Sequence, residues 1–398
     1  MNTYALPESL SEQLLSPALI VYMDRVRANV QRVIEAVGGD PDRWRPHIKT
    51  VKLAPVFLEL ARAGVRNFKC ATTREAACLL DSLDAAGVED VDLLLAHTLV
   101  GPNLTQLGRI ASAYPAVRVS VLCEDPDAVA GIPQPLGVFV DVNTGMNRTG
   151  VPLDRPAQIA GVGEAAGDRF RGVHFYDGHL AGLAADTRRN RAFACYDELM
   201  KVLADLDGRG IVVGEAITSG TPTFPCAIAY EPLSRLAGTV HRVSPGTAVL
   251  GDTRALQEIP EVGLVPAAVV FARVVSQPAN GLVTCDAGSK SIAADAGDPC
   301  AEAIGHPDLV ALTPNEEHLP LRVNRGTAPP RGTELLLVPR HVCPTVNLAE
   351  KAVLIENGLL SEVVEVIGRA HETLLSAPYG PPGRHLLSYD PPNSSGGV

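Results

Sequence analysis

Between residues 44 and 245 the chain alternates short strand-like runs with segments of helical spacing, and this rhythm constrains the fold more than any other feature. Runs rich in β-forming residues recur at 44–50, 67–72, 90–97, 117–123, 137–142, 171–176, 216–220 and 241–245. Segment 51–63 is apolar at Leu53, Val56, Phe57 and Leu60 and stops at Gly64. Segment 74–86 stops at Gly87, and 185–206 carries Phe193, Tyr196, Leu199 and Leu203 on one face. Segments 124–135 and 228–238 are too short or too irregular for full helices. Strands that alternate with helices imply a parallel sheet. Eight such units predict a closed (β/α)8 barrel of the TIM type.

The flanks read differently. A buried strand is expected at 18–23, then a helix with Asp24 as N-cap, apolar at Val26, Val30, Val33 and Val37 and closed by Gly38-Gly39. Beyond residue 252 helical periodicity fades, and strand-like runs appear at 269–275, 281–286, 309–313, 334–338 and 351–355. The division expected is an N-terminal strand (1–22) joining the β domain, a barrel (23–251), a mostly β C-terminal domain (252–375) and a Pro/Gly/Ser-rich tail (376–398) that frays.

Bulk properties narrow the function. The net charge of −11 disfavours a polyanion, so no nucleic acid partner is expected. No apolar run reaches the roughly 18 residues that span a bilayer, and residues 1–16 lack the pattern of a signal peptide. The eight cysteines, at 70, 78, 123, 195, 226, 285, 300 and 343, form no CxxC pair. A cytoplasmic protein whose cysteines are mostly small buried hydrophobes fits best.

In a barrel the chemistry sits at the C-terminal strand ends. Those ends carry PHIKT at 46–50, DVNTGMNRTG at 141–150, FYDGH at 175–179, SGT at 219–221 and SPGT at 244–247. An amine, a guanidinium and an aromatic ring therefore converge with two glycine-bearing loops. Loops after strands seven and eight form the usual phosphate site of such barrels, because glycine admits an oxyanion to backbone N–H groups. Alone, SGT and PGT are ordinary turns; their joint position distinguishes them. Lys49 sits among apolar and proline-constrained neighbours, where burial favours a nucleophilic amine. The alternative is a surface lysine opening the next helix, as Lys52 reads.

The second domain carries HVCPTVNL at 341–348. On a strand, residues two apart share a face, so His341 and Cys343 would offer an imidazole and a thiolate to one divalent ion. A half-buried strand with an inert thiol is the commoner meaning of a bare HxC. Glu316, Glu317 and His318 are further polar candidates, or solvated loop residues.

Together PHIKT, DVNTGMNRTG, SGTPTF at 219–224, PGT at 245–247, NEEH at 315–318 and HVCPTVNL resemble the D-threonine aldolase and D-serine dehydratase family. The match runs in order from about residue 16 to about residue 370. The wider group is similar to alanine racemase: fold type III enzymes of pyridoxal 5'-phosphate (PLP), a barrel followed by a β domain. The resemblance implies that Lys49 carries PLP as a Schiff base, with Arg148 near the phenolic oxygen and Tyr176 against the ring. It assigns the phosphate to Ser219, Gly220, Thr221, Gly246 and Thr247. It also implies a zinc or manganese ion on His341 and Cys343 beside a D-amino acid substrate, with His341 counted among the catalytic residues, and a homodimer. HxC resembles the dehydratases that use zinc, whereas PTVNL and YDGHL look more like the aldolases. Retro-aldol cleavage of β-hydroxy D-amino acids is the favoured expectation. D-serine or D-threo-hydroxyaspartate dehydration is the alternative, and a racemase or a non-catalytic PLP-binding protein would be a different class.

Overall fold

In the computed structural model, residue 4 and residues 6–375 are described; the expected tail at 376–398 lies outside them. β1 (Ala18–Tyr22) leads directly into the helix Met23–Ala36. The barrel follows with β2 (Asn67–Cys70), β3 (Asp92–Thr98), β4 (Arg118–Cys123), β5 (Gly137–Asn143), a two-residue β6 (Val151–Pro152), β7 (Phe170–Phe175), β8 (Glu215–Thr218) and β9 (Val240–Val243). Seven of these run parallel in the order β2-β3-β4-β5-β7-β8-β9, and β6 pairs only with β5.

The eighth stave, expected as a strand at 44–50, is not a ladder. Residues 44–49 close the gap between β9 and β2 through two isolated bridges. The Arg45 amide donates to the Val243 carbonyl at 2.9 Å, and the Lys69 amide donates to the Pro46 carbonyl at 2.9 Å. Pro46 has no N–H to donate, so a regular ladder cannot continue through it. Segment 124–135 forms only the 3-10 turn Pro126–Gly131. Asp24 does not cap its helix. Tyr22 holds the cap position, and the Asp24 carboxylate instead accepts from the Asn357 amide at 2.6 Å.

The second domain contains β10 (Ala268–Ala279), β11 (Leu282–Cys285), β12 (Ala301–Ala303), β13 (Leu309–Ala311), β14 (Leu319–Val323), β15 (Glu334–Pro339), β16 (Lys351–Glu356) and β17 (Leu359–Glu365). β1 inserts into this sheet, antiparallel to β10 and parallel to β16. Six of the eight cysteines are buried, and all eight are free. Among the described residues no helix is long and apolar enough to cross a membrane.

The barrel floor is a buried ion cluster at the N-terminal strand ends. Arg45, fully buried, pairs with Asp92 at 2.9 Å and Glu215 at 2.6 Å. Arg242 bridges Asp42 and Glu215, while Arg118 and Arg171 reach the other Asp92 oxygen. Every charge there meets its opposite. The floor is therefore closed, and the open end of the barrel faces the other way.

Candidate active site

At that open end lies a cavity of about 470 Å³. Its lining includes Lys49, Arg148, Tyr176, Gly220, Thr221, Gly246, Thr247, His341 and Cys343. Ser219, assigned to the phosphate site, is not part of the lining. It is buried beneath the loop, in the left-handed region at φ 60°, and its hydroxyl has no hydrogen-bond partner.

Lys49 stands at the turn where the eighth stave ends, its amide donating to His47 Nδ1 at 3.4 Å. Its side chain is exposed to the open cavity rather than buried, so the burial argument for this amine fails. The chain turns immediately after Pro46-His47-Ile48, which lifts Lys49 off the wall. Lys52 reverses the expectation in the other direction. It is buried, ion-pairs with Glu75 and donates to the Gly368 carbonyl at 3.1 Å.

The Arg148 loop is held by its own polar residues. Asn143 Oδ1 accepts from the Gly145 and Asn147 amides, each at 3.0 Å. Thr149 Oγ1 donates to Asp141 Oδ2 at 2.8 Å. Gly150 has φ 98°, and a Cβ there would meet the Asn143 amide nitrogen at 2.7 Å, so only glycine closes this turn. The Arg148 guanidinium consequently rests 5.0 Å from the centroid of the Tyr176 ring.

The two glycine-bearing loops are braced from behind. Asp177, fully buried, accepts from Thr223 Oγ1 at 2.6 Å and from the Tyr196 hydroxyl at 2.7 Å. Thr223 Oγ1 in turn accepts from the Gly220 amide at 3.2 Å. A Cβ on Gly246 would lie 2.3 Å from the His47 carbonyl oxygen, and one on Gly220 would press on the Tyr176 ring at 3.0 Å. Bare backbone, the Thr221 and Thr247 hydroxyls and the unpartnered Ser219 hydroxyl suit an oxyanion such as a phosphate.

His341 and Cys343 do not share a strand. β15 ends at Pro339, His341 is the N-cap, and Val342–Leu348 is a short helix. Pro344 explains the change: it lacks the N–H a ladder needs, but fits the first helical turn, where N–H groups have no intrahelical partner. The two side chains still meet: both line the cavity, and each shifts the other's ionisation. Asp295 Oδ2 takes His341 Nδ1 at 2.7 Å, leaving Nε2 as the nitrogen free to bind an ion. Cys343 Sγ lies 3.1 Å from Thr50 Oγ1 and 3.3 Å from Thr247 Oγ1. The second domain's sulfur is thus docked between the Lys49 turn and a glycine loop.

Burial pushes the Cys343 thiol up, but His341 and Lys49 outweigh it and hold it below the ordinary thiol range. Burial pushes His341 down, while Cys343 and Asp295 raise it to about 9. Their mutual attraction favours the thiolate, and the thiolate is the form that binds metal. Among the described residues no group of three or more His, Cys, Asp or Glu side chains gathers around one point. Two donors leave positions open on a divalent ion, which fits an ion that also meets substrate.

Sequence reasoning missed several residues here. Asp252 Oδ1 caps the helix Thr253–Glu258, while Oδ2 accepts from the Val342 amide at 3.1 Å, stapling the HxC turn to the barrel. His174 pairs through Nδ1 with Asp141 at 2.7 Å, and Lys69 lies buried beside it. Lys69 and His174 sit in the middle of short strands, and only their alternation with apolar neighbours marks them as inward-facing. Glu316, Glu317 and His318 are exposed and outside the cavity lining, with both glutamates paired to Lys290.

Residues 21–253 match the family model of the alanine racemase N-terminal domain, and residues 267–355 match that of a putative serine dehydratase domain. The chain is 28% identical to the D-threonine aldolase of Arthrobacter sp. over 89% of its own length and 92% of that protein. It is 27% identical to the D-threo-3-hydroxyaspartate dehydratase of Delftia sp., over 83% of its length and 91% of the relative. The crystal structure of D-threonine aldolase from Filomicrobium marinum superposes with a TM-score of 0.78 at 25% identity, covering 90% of this chain and 96% of that one. The chain belongs to the D-threonine aldolase and D-serine dehydratase family of lyases, built on the alanine racemase barrel.

Proposed function

We propose that the protein is a PLP- and divalent-metal-dependent lyase that cleaves β-hydroxy D-amino acids to glycine and an aldehyde. The observation that carries this reading is the docking of Cys343 against Thr50, which sets a metal-type donor pair beside the residue following Lys49. Lys49 would hold PLP, Arg148 and Tyr176 would flank its ring, and the loops at Ser219–Thr221 and Gly246-Thr247 would take its phosphate. His341 and Cys343 would hold zinc or a manganese-like ion. PLP supplies an electron sink for the bond broken at the α-carbon. An ion held by His341 and Cys343 would supply Lewis-acid polarisation at the substrate's β-hydroxyl.

The chain's own groups do the rest. Asp295 keeps His341 in the tautomer that binds through Nε2. Thr50 and Thr247 fix the sulfur, which brings the second domain's donor pair to the barrel mouth. In retro-aldol cleavage a base takes the β-hydroxyl proton, the Cα–Cβ bond breaks, a proton is returned to Cα, and glycine and an aldehyde leave.

A second reading rests on the sulfur ligand itself and on the likeness to the hydroxyaspartate dehydratase. There Lys49 takes the α-proton, the β-hydroxyl leaves, and a keto acid and ammonia form. Product analysis separates the two with D-threonine, D-serine and D-threo-3-hydroxyaspartate as substrates. Glycine plus the matching aldehyde is expected. A keto acid plus ammonia would replace the first reading by the second, and the mirror-image amino acid would overturn both.

A further inference from the structure

Lys69 is the mid-strand residue of β2 that turns into the cavity wall, with 2% of its surface exposed. Among the described residues it makes no ion pair. Its Nζ lies 3.5 Å from His174 Nε2 and 5.6 Å from the centroid of the Tyr176 ring. Asp141 engages His174 Nδ1 at 2.7 Å, which places that ring's proton on Nδ1 and leaves a lone pair on Nε2 facing Lys69. The other Asp141 oxygen is tied to Thr149, next to Arg148. Asp141, His174 and Lys69 therefore form one line from the Arg148 loop into the cavity.

The groups facing Lys69 come from every neighbouring element. Lys49, Arg45 and Arg148 repel its ammonium, and Asp141 attracts it. His47, on the stave beside it, and His174 are the two imidazoles, both held below their ordinary range chiefly by burial. On β3 its Cα partner is the apolar Leu94. Burial first, then the Lys49 charge, brings Lys69 down to about 7. A lysine kept only for packing would be better replaced by methionine, because an unpaired buried amine is costly.

We propose that Lys69 is a proton-holding residue of this active site, exchanging its proton with His174 and so setting the charge that the cavity wall presents to cofactor and substrate. One proton moves. The Lys69 ammonium gives it to His174 Nε2, the imidazolium formed is held by the Asp141 carboxylate, and the reverse step returns it. No other bond changes. The inference rests on the cofactor reading above, but not on which substrate bond is cleaved.

The test begins on the full chain without added PLP. The six lysines, at 49, 52, 69, 201, 290 and 351, give a small set of resonances after reductive 13C-methylation, and Lys69→Arg assigns the one of interest. Lys69 is expected to titrate near pH 7 instead of the ~10.4 of a free lysine. In the PLP-loaded enzyme, the visible band and kcat should share an ionisation near neutrality. That ionisation should be absent from both Lys69→Met and Lys69→Arg at equal cofactor content, with kcat down ~100-fold. A merely structural need for a cation would be met by arginine. A wild-type pH profile in Lys69→Arg, or a Lys69 resonance titrating above pH 10, would overturn the proposal. If Lys69→Met does not fold, the resonance and the arginine variant decide alone. Failure of the native chain to bind PLP would instead strike the cofactor reading and leave the titration result standing.

Discussion

The two ends of the barrel handle charge in opposite ways. At the floor, Arg45, Arg242, Arg118 and Arg171 are each matched to Asp92, Glu215 or Asp42. At the mouth, Lys49, Lys69 and Arg148 line the cavity without an ion pair among the described residues, because the carboxylates nearby are committed elsewhere: Asp141 to His174 and Thr149, Asp177 to Thr223 and Tyr196, Asp252 to backbone amides and Glu258 to Arg254. The floor is built to be complete, and its charges serve stability. The mouth keeps three cations without ion-pair partners, and an anionic ligand would suit it. This is the division expected of a barrel whose chemistry sits at one end.

Breaking the mouth at Lys49 should have the largest functional effect. Lys49→Ala should lose the cofactor's visible band and reduce turnover to background, while the fold remains, because this side chain is exposed in the cavity. A borohydride-reducible adduct persisting in Lys49→Ala would place the cofactor elsewhere.

Breaking the floor should do the reverse. Arg45→Met removes the fully buried partner of two carboxylates, leaving Asp92 to Arg118 and Arg171 and Glu215 to Arg242, and should cost up to ~3–5 kcal/mol in denaturant unfolding, with KM unchanged in the folded fraction. The floor also sets the acid limit. Despite burial, Arg45 and its neighbours hold Asp92 below its ordinary value. A carboxyl depressed in the folded state adds stability that is present above the unfolded value of ~3.9 and lost as pH falls through the folded one. Acid unfolding of the native chain should therefore steepen below about pH 4 and be blunted in Arg45→Met.

Asp295→Asn should act more gently, weakening divalent-ion affinity ~10–100-fold by loosening His341, as removal of an outer partner does. Unchanged affinity by metal titration would mean that His341 does not bind through Nε2.

The smallest effect sharpens the contrast most. Lys69→Met should stabilise the fold, by about 1 kcal/mol near pH 7, even as it impairs turnover. Lys69 is near 7 in the folded chain and ~10.4 unfolded, so the unfolded chain binds the extra proton between those values. Native stability should rise with pH across that window, and the variant should lose the slope. A destabilised Lys69→Met would make Lys69 a structural cation like those of the floor.

The sequence exposes what is periodic or contiguous. Seven strands and the helices Ala54–Arg62, Thr73–Ala85 and Ala185–Gly208 follow from apolar spacing, and PHIKT or SGT are legible because backbone chemistry is concentrated in a few adjacent residues. Contacts that only closure creates are not. Arg45 meets Glu215 across 170 positions, and no local pattern announces it. The spacing of His341 and Cys343 correctly put two donors together, although through a helix cap and not a strand face, because Pro344 ends the ladder. The strands at Ala301–Ala303 and Leu319–Val323 escaped notice because so short a run carries little period-two signal.

On the proposed reading, cofactor-holding and metal-holding residues come from different domains and have separable duties. Exhaustive chelation of the PLP-loaded enzyme tests it most directly. The visible band should persist, turnover should vanish, and zinc or manganese should restore it, with Cys343→Ala matching the chelated enzyme throughout. Full turnover after chelation, with no metal found by elemental analysis, would contradict the account.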